Sequence, residues 1–447
     1  METLTMPSID SLDELFAQQQ HRAHQLKKTT AAERIARLEK LKQAVIEHTD
    51  DILQALYDDF KKPKAEAELE IGPIIGEIDF VAANLEQWMQ AQVVPTPDAM
   101  GGSAALSKII YEPKGVCLLI TPWNFPALLT FRPLVSCIAG GNTAIVKPSE
   151  LTPHTSAVIR EIVESVFTDD EVVVIEGGAE VAADLLKLPF HHIFYTGGSR
   201  VGKIVMKAAA NYLASVTLEL GGKSPAIIDD SSDFADAAEK LVWGKYFNCG
   251  QTCIAPDYIL VSEAREDEFL STMKATVETM YGPNGPGSDS PAYPRMVNAT
   301  HYRRVKNLLD EAVAGGTTVV TGGQTDETEN YIAPTILTNV TTDHAIMREE
   351  IFGPVLPVLT YRTLDDAIDF VNAGERPLAL YAFGKDTAAT DYVIGNTTAG
   401  GSVVNHVIMH YFSPFLPFGG VGNSGTGRGN GYYGFLDFSN QRPVFQL

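Results

Sequence analysis

The chain has 447 residues, a formal net charge of −22 from 34 basic and 56 acidic side chains, and ordinary shares of charged (20%) and hydrophobic (45%) residues. That composition excludes wholesale disorder, and an acidic surface repels phosphate backbones and anionic headgroups, which argues against nucleic-acid or membrane-surface binding. The length calls for two or three domains of about 150 residues each. Residues 1–20 lack the basic and apolar regions of a secretory signal, and no apolar run approaches the roughly 20 residues of a membrane span. Four cysteines in so long a chain make no disulfide framework, so a reducing, cytoplasmic setting is expected. No CxxC pair is present, and no zinc pattern stands out.

From about residue 10 to residue 90 the apolar spacing is helical. Thr30 stands three residues before Glu33, as a capping box requires, and Ile35, Leu38, Leu41 and Val45 follow on one face. Thr49 reads as the N-cap of a second helix carrying Ile52, Leu53, Leu56, Tyr57 and Phe60, which ends at Lys62-Pro63. A third helix passes through Ile71, Ile74, Ile78, Val81, Leu85 and Trp88, with Pro73 starting or kinking it. Tyr57 and Lys61 have the Tyr-x-x-x-Lys spacing of short-chain dehydrogenases. No glycine-rich strand-turn-helix unit precedes them, so the pair reads as surface. Pro95, Pro97, Gly101 and Gly102 then break the helical pattern, and residues 93–112 read as a hairpin arm.

From Gly115 apolar strands alternate with helices: residues 115–120, 144–147, 172–176, 193–196 and 225–229. Strands without polar alternation, separated by helices, predict a parallel sheet covered on both faces, with ligands beyond its C-terminal strand ends. After Ile120, Trp123 and Asn124 stand between Pro122 and Pro126; the Asn amide can serve a developing oxyanion or close an Asx turn. After Val146, Lys147 and Glu150 can grip ribose hydroxyls, or Ser149 can cap a helix. After Tyr195, Gly197, Gly198, Ser199 and Gly202 form a strand-to-helix turn that lets a diphosphate reach backbone N–H groups, although Ser199 replaces the central glycine of G-x-G-x-x-G. Glu219 lies between leucines, where desolvation makes a carboxyl a usable base near neutral pH. Glu350 and Phe352 precede a further apolar strand. Residues 416–429 are glycine-dense without a Walker Gly-Lys-Ser/Thr, which points to close backbone approach beside a site or a connection to an interface strand. Cys253 follows Gly250-Gln251-Thr252, and a helix N-terminus or polar loop beside it would favour a nucleophilic thiolate. A packing cysteine is the alternative.

Taken in order, these motifs, from Tyr111-Glu-Pro-Lys-Gly115 to Pro417-Phe-Gly-Gly420, resemble the NAD(P)-dependent aldehyde dehydrogenase superfamily, and the stretch 248–258 is most similar to its class 3 branch of fatty, aromatic and coniferyl-type enzymes. The resemblance implies an α/β fold: a Rossmann-like parallel-sheet cofactor domain (1–92 and 113–220), an α/β catalytic domain (221–406), and a β-hairpin oligomerisation arm with the C-terminal segment (93–112 and 407–447). It implies Cys253 as nucleophile, Asn124 as oxyanion amide and Glu219 as general base. Lys147 and Glu150 would hold the adenosine ribose, Gly197, Gly198, Ser199 and Gly202 the diphosphate, and Trp123, Glu350 and Phe352 the nicotinamide end. The expected reaction oxidises a medium- or long-chain aliphatic or aromatic aldehyde to the acid through a cysteine thiohemiacetal and thioester. A CoA-acylating relative or a non-catalytic structural relative is the alternative. NAD is the expected cofactor, with NADP second because Glu150 would repel a 2′-phosphate. A homodimer with no metal is expected, its substrate tunnel walled by Tyr246, Phe247 and residues 407–415, with Cys249 a bystander.

Overall fold

The computed structural model describes residues 9–447; the first residues of the N-terminal stretch read above lie outside the described residues. Four helices lead: α1 (Ile9–Leu26), α2 (Ala31–Glu47), α3 (Thr49–Phe60) and α4 (Lys64–Trp88). The capping box is made, since the Thr30 hydroxyl accepts from Glu33 N and the Glu33 carboxylate accepts from Thr30 N at 2.7 Å. Thr49, by contrast, is not a cap. Only His48 separates α2 from α3, so the Thr49 hydroxyl finds the carbonyl of Val45 in the preceding turn, at 3.3 Å. Helix α4 begins well before the expected apolar run, and Pro73 lies inside it. Its first two turns point Glu66 and Glu70 inward, where a hydrophobic pattern cannot mark them.

The expected hairpin is β1 (Gln92–Val94) against β2 (Leu106–Pro113), antiparallel, and the strand Ser439–Gln446 pairs along the other edge of β2. Next come β3 (Val116–Ile120), β4 (Thr143–Lys147), β5 (Val172–Val174), β6 (His192–Thr196) and β7 (Ser215–Glu219), linked by helices α5 (Leu128–Gly140), α6 (Pro153–Val166), α7 (Ala179–Leu185) and α8 (Ser199–Ala210). They form a parallel sheet in the order β7-β6-β3-β4-β5, and the short strand Gly425–Thr426 closes the β7 edge antiparallel. All residues of β3, β4 and β6 are buried, which is why those strands read as unbroken apolar runs. Helix α6 starts at Pro153 with Thr152 as its cap residue, so Ser149 lies outside it.

A second sheet has seven strands in the order Thr318–Thr321, Thr335–Thr338, Val355–Tyr361, β9 (Tyr258–Ser262), β8 (Pro225–Ile228), Ala379–Phe383 and Gly401–Val404. Its pairs are parallel except the outermost, between Thr318–Thr321 and Thr335–Thr338. Helix α9 (Phe234–Tyr246) runs from this sheet into the turn that precedes Cys253.

Candidate active site

The strand register decides where the chemistry lies. Ile120 is opposite both Lys147 and Tyr195, and Thr196 is opposite Glu219, so the loops after β3, β4, β6 and β7 leave the first sheet along one line at its C-terminal edge. Trp123 and Asn124, residues 147–150, residues 197–202 and Glu219 therefore share one side of the molecule.

Helix α9 ends at Tyr246, and Asn248, Cys249 and Gly250 follow with left-handed φ of 54°, 55° and 70°. Such a turn is unfavourable for side-chain-bearing residues and persists only where its neighbours hold it. Gln251 does much of that: its Nε2 donates to the carbonyls of Asn248 (3.1 Å) and Arg295 (3.0 Å), and its Oε1 accepts from Val297 N at 3.0 Å. Cys253 emerges half-buried on the wall of a narrow cavity of about 40 Å³ lined by Leu69, Phe125, Leu128, Leu129, Phe247, Thr252, Ile254, Ile408, Tyr411 and Phe412. Tyr246 is absent from that wall; it is fully buried and its hydroxyl donates to the Thr335 carbonyl at 3.0 Å. Helical spacing explains this correction, since Tyr246 is the last residue of α9 while Phe247 begins the turn. Cys249 is buried against Met296 Sδ at 3.8 Å.

The Asn124 side-chain amide donates to the Gln251 carbonyl at 3.0 Å, two residues before Cys253, while the Asn124 backbone carbonyl accepts from Asn248 Nδ2 at 2.9 Å. Burial pushes the Cys253 thiol up, and the nearby carboxyls of Glu350 and Glu219 push it further. The loop therefore does not favour a resting thiolate, contrary to the sequence expectation. Its apolar surroundings and two acids outweigh the backbone N–H groups of Cys253 and Ile254.

Glu219 ends β7 almost fully buried, and burial raises its carboxyl to about 8, partly opposed by the Arg132 guanidinium. Its backbone faces Gly425, where a Cβ would stand 2.1 Å from the Leu218 carbonyl oxygen; only glycine lets that strand approach. Arg132 is itself held by Glu77 at 2.9 Å and lies over the Tyr411 ring at 4.5 Å. The motif reading does not reach Arg132, although a lone cation in the apolar run 128–138 is a legible signal of a paired, site-facing group.

Lys147 Nζ bonds the Glu150 carboxylate at 2.8 Å, with the lysine buried and the acid half exposed, beside a cleft of about 480 Å³ bounded by Pro148, Ser149, Arg160, Glu176, Gly177 and Leu12 of α1. Gly198 caps α8, and a Cβ there would meet nothing within 4 Å, so open space borders this helix start. Gly202 packs on Leu220, whose Cδ2 would be 2.9 Å from a Cβ. Ser199 borders a further cleft of about 670 Å³ shared with Gly221, Gly222, Lys223 and Glu350. The Glu350 carboxyl, raised to about 8 by burial and then by Asp257, leans on the Gly221 backbone. Phe352 holds a left-handed φ of 47° and packs edge-on against Trp123 at 5.4 Å. An open helix N-terminus between a basic–acidic pair and an aromatic pair fits an elongated diphosphate-bridged ligand with a flat ring at one end. Among the described residues no group of three or more His, Cys, Asp or Glu side chains is arranged to hold a metal ion, and no helix is long and apolar enough to cross a membrane.

The model of the aldehyde dehydrogenase family matches residues 6–444. The chain is 45% identical over 406 residues to the 4,4′-diaponeurosporen-aldehyde dehydrogenase of Staphylococcus aureus, covering 91% of this chain and 87% of that protein. It is 45% identical over 411 residues to aldehyde dehydrogenase family 3 member A2 of Rattus norvegicus, covering 92% and 83%. The solved substrate-bound Staphylococcus aureus AldH superposes with a TM-score of 0.93 at 42% identity, covering 98% of this chain and 94% of that one. Solved relatives in the same fold hold NAD+. The chain thus belongs to the aldehyde dehydrogenase family, in its class 3-like branch, and oxidises aldehydes to carboxylic acids with NAD(P)+.

Proposed function

We propose that Cys253 is the nucleophile, that the Asn124 amide and the Cys253 backbone N–H hold the oxyanion, and that Glu219 handles the protons. The observation that carries this is the placement of Cys253 on an apolar cavity wall with the Asn124 amide bonded to Gln251, in a site where Glu219 is close enough to perturb the thiol. Sulfur adds to the aldehyde carbon as the thiol proton passes to Glu219, which releases it to solvent, and the oxygen turns its new charge toward the amide donors. Bound nicotinamide supplies a two-electron acceptor for the hydride. Lys147, Glu150 and the α8 N-terminus are the groups that would hold the cofactor, with Trp123, Glu350 and Phe352 toward its reactive end. Water then attacks the thioester on Cys253, Glu219 takes its proton, the new C–O bond forms and the C–S bond breaks, and Glu219 returns the proton to the leaving sulfur, giving the acid and the free thiol.

The substrate class we infer is an uncharged, apolar aldehyde, aliphatic or aromatic, because the cavity beside Cys253 is walled by phenylalanine, leucine and isoleucine. The three-stranded sheet of β1, β2 and Ser439–Gln446, with Val93 and Phe445 exposed, supports a homodimer assembled through this arm. The acidic surface and four unpaired cysteines support a cytoplasmic setting. The deciding experiment is Cys253→Ala, which should abolish aldehyde-dependent NAD(P)H formation while NAD+ still quenches tryptophan fluorescence at the wild-type concentration; residual wild-type turnover would overturn the assignment.

A further inference from the structure

We propose that Lys62, Glu66 and Glu70 form a positioning clamp that locks the loop carrying Asn124 against the turn leading to Cys253, and so sets the spacing between oxyanion donor and nucleophile. The inference rests on the roles proposed above for Asn124 and Cys253.

Glu66 and Glu70 lie one turn apart on one face at the start of α4, and Lys62 stands just before that helix, ahead of its cap residue Pro63. Each reaches a different part of the site. Lys62 Nζ donates to the Asn124 backbone carbonyl at 3.2 Å, is paired with the Glu70 carboxylate at 2.5 Å, and lies 4.1 Å from the Phe125 ring centre. The other Glu70 oxygen accepts from Ala127 N and Leu128 N at 3.1 and 3.2 Å, the free N–H groups at the start of α5. Together these bonds fix the loop from Asn124 to Leu128 at both ends. Glu66 works on the other side: its Oε2 accepts from Asn248 N at 2.8 Å, at the first left-handed residue of the turn before Cys253. Asn248 Nδ2 then closes the circuit by donating to both the Asn124 and the Gln251 carbonyls.

The Lys62–Glu70 pair is fully buried. A buried ion pair brings little net stability, and well-packed apolar residues in its place are commonly neutral or stabilising. Stability is therefore a weak reason for this pair to be there, whereas holding two loops in register is a sufficient one. Misplacing a reacting group by about 1 Å costs on the order of 100-fold in rate.

The test is a stopped-flow measurement of the NADH burst, with octanal as substrate, on Lys62→Met/Glu70→Leu, Glu66→Ala and Glu66→Gln, each alone and combined with Asn124→Ala. The double variant should still fold, with a melting temperature lowered by the unpaired N–H groups of Ala127 and Leu128, yet show a burst rate about 10- to 100-fold lower at unchanged KM for NAD+. Glu66→Ala, which leaves the buried pair intact, should slow the burst in the same range, and Glu66→Gln, which keeps an acceptor oxygen, should restore it to within about threefold. Adding Asn124→Ala to a clamp variant should cost little more, because the donor is already misplaced. If Asn124→Ala alone is slow but the folded clamp variants burst at the wild-type rate, or if the two losses multiply in full, the clamp is refuted while the oxyanion assignment stands. If Asn124→Ala alone bursts normally, the oxyanion assignment fails and takes the clamp's purpose with it.

Discussion

Replacing Glu219 by glutamine tests the buried base from two directions at once. In the folded protein its carboxyl is raised from 4.5 to about 8, chiefly by burial. That displacement corresponds to about 5 kcal/mol at full extent. The folded state prefers the protonated form, so the favourable balance is fully present below pH 4.5 and is lost as pH rises through about 8. The Glu219→Gln variant, whose amide never ionises, escapes this loss. The two proteins should melt alike near pH 5, and the variant should melt higher above pH 8, by on the order of 5 °C for a chain of this size. The same carboxyl predicts deacylation. Trapped acyl-enzyme, followed by rapid quench and intact mass, should decay about fivefold faster at pH 8 than at pH 7 in the wild type, as the base ionises, and should persist in Glu219→Gln at every pH. A wild-type decay rate flat across pH 6–9, or a melting difference that is the same at pH 5 and pH 9, would refute the argument.

Cys249→Ala should separate the two neighbouring thiols: it removes a buried sulfur packed on Met296, so it should lower stability by about 1–2 kcal/mol in thermal unfolding while turnover stays within twofold. A loss of activity comparable to Cys253→Ala would assign Cys249 a chemical role. Among aldehydes, octanal and benzaldehyde should exceed betaine aldehyde in kcat/KM by about 100-fold or more, since the cavity beside Cys253 has no group to pair a quaternary ammonium other than ring faces. Equal values would place the substrate path elsewhere.

How far the sequence reveals this molecule depends on what kind of signal each group leaves. Strands β3, β4, β6 and β8 are buried on both faces and announce themselves as apolar runs, and the glycines and prolines after them mark the loops. Strand β7 does not stand out as a strand in its own right, because Ser215 and Thr217 interrupt its apolar run. The groups legible as chemistry are those on short loops with distinctive neighbours: Asn124 between prolines, Glu219 before two glycines, Cys253 after Gly250-Gln251. Lys62, Glu66 and Glu70 are not. They sit in the stretch 61–70, whose dense charges read as a solvated surface, and their roles come from partners 60 to 180 residues away in the chain, at Asn124, Leu128 and Asn248. Local pattern carries no trace of such a pairing. The thiol's environment is hidden for a related reason: the two carboxyls that raise it come from Glu219 and Glu350, on opposite sides of it in sequence.

The two-residue strand Gly425–Thr426, seated on β7 with Gly425 opposite Glu219, ties the proposed base to the last part of the polypeptide. On the ribosome the chain grows from the other end, at a few to about 20 residues per second. By the time residue 220 has emerged, five parallel strands are available to pair, but the β7 edge beside Glu219 stays open until roughly two hundred more residues have followed. For about ten seconds or more an unpaired strand end with a desolvation-prone carboxylate is exposed to other nascent chains. The late strand acts as a seal on synthesis: the surroundings of Glu219 are complete only when nearly all of the protein exists, so an interrupted translation product carries Cys253, the proposed nucleophile, without a finished pocket for its proposed base.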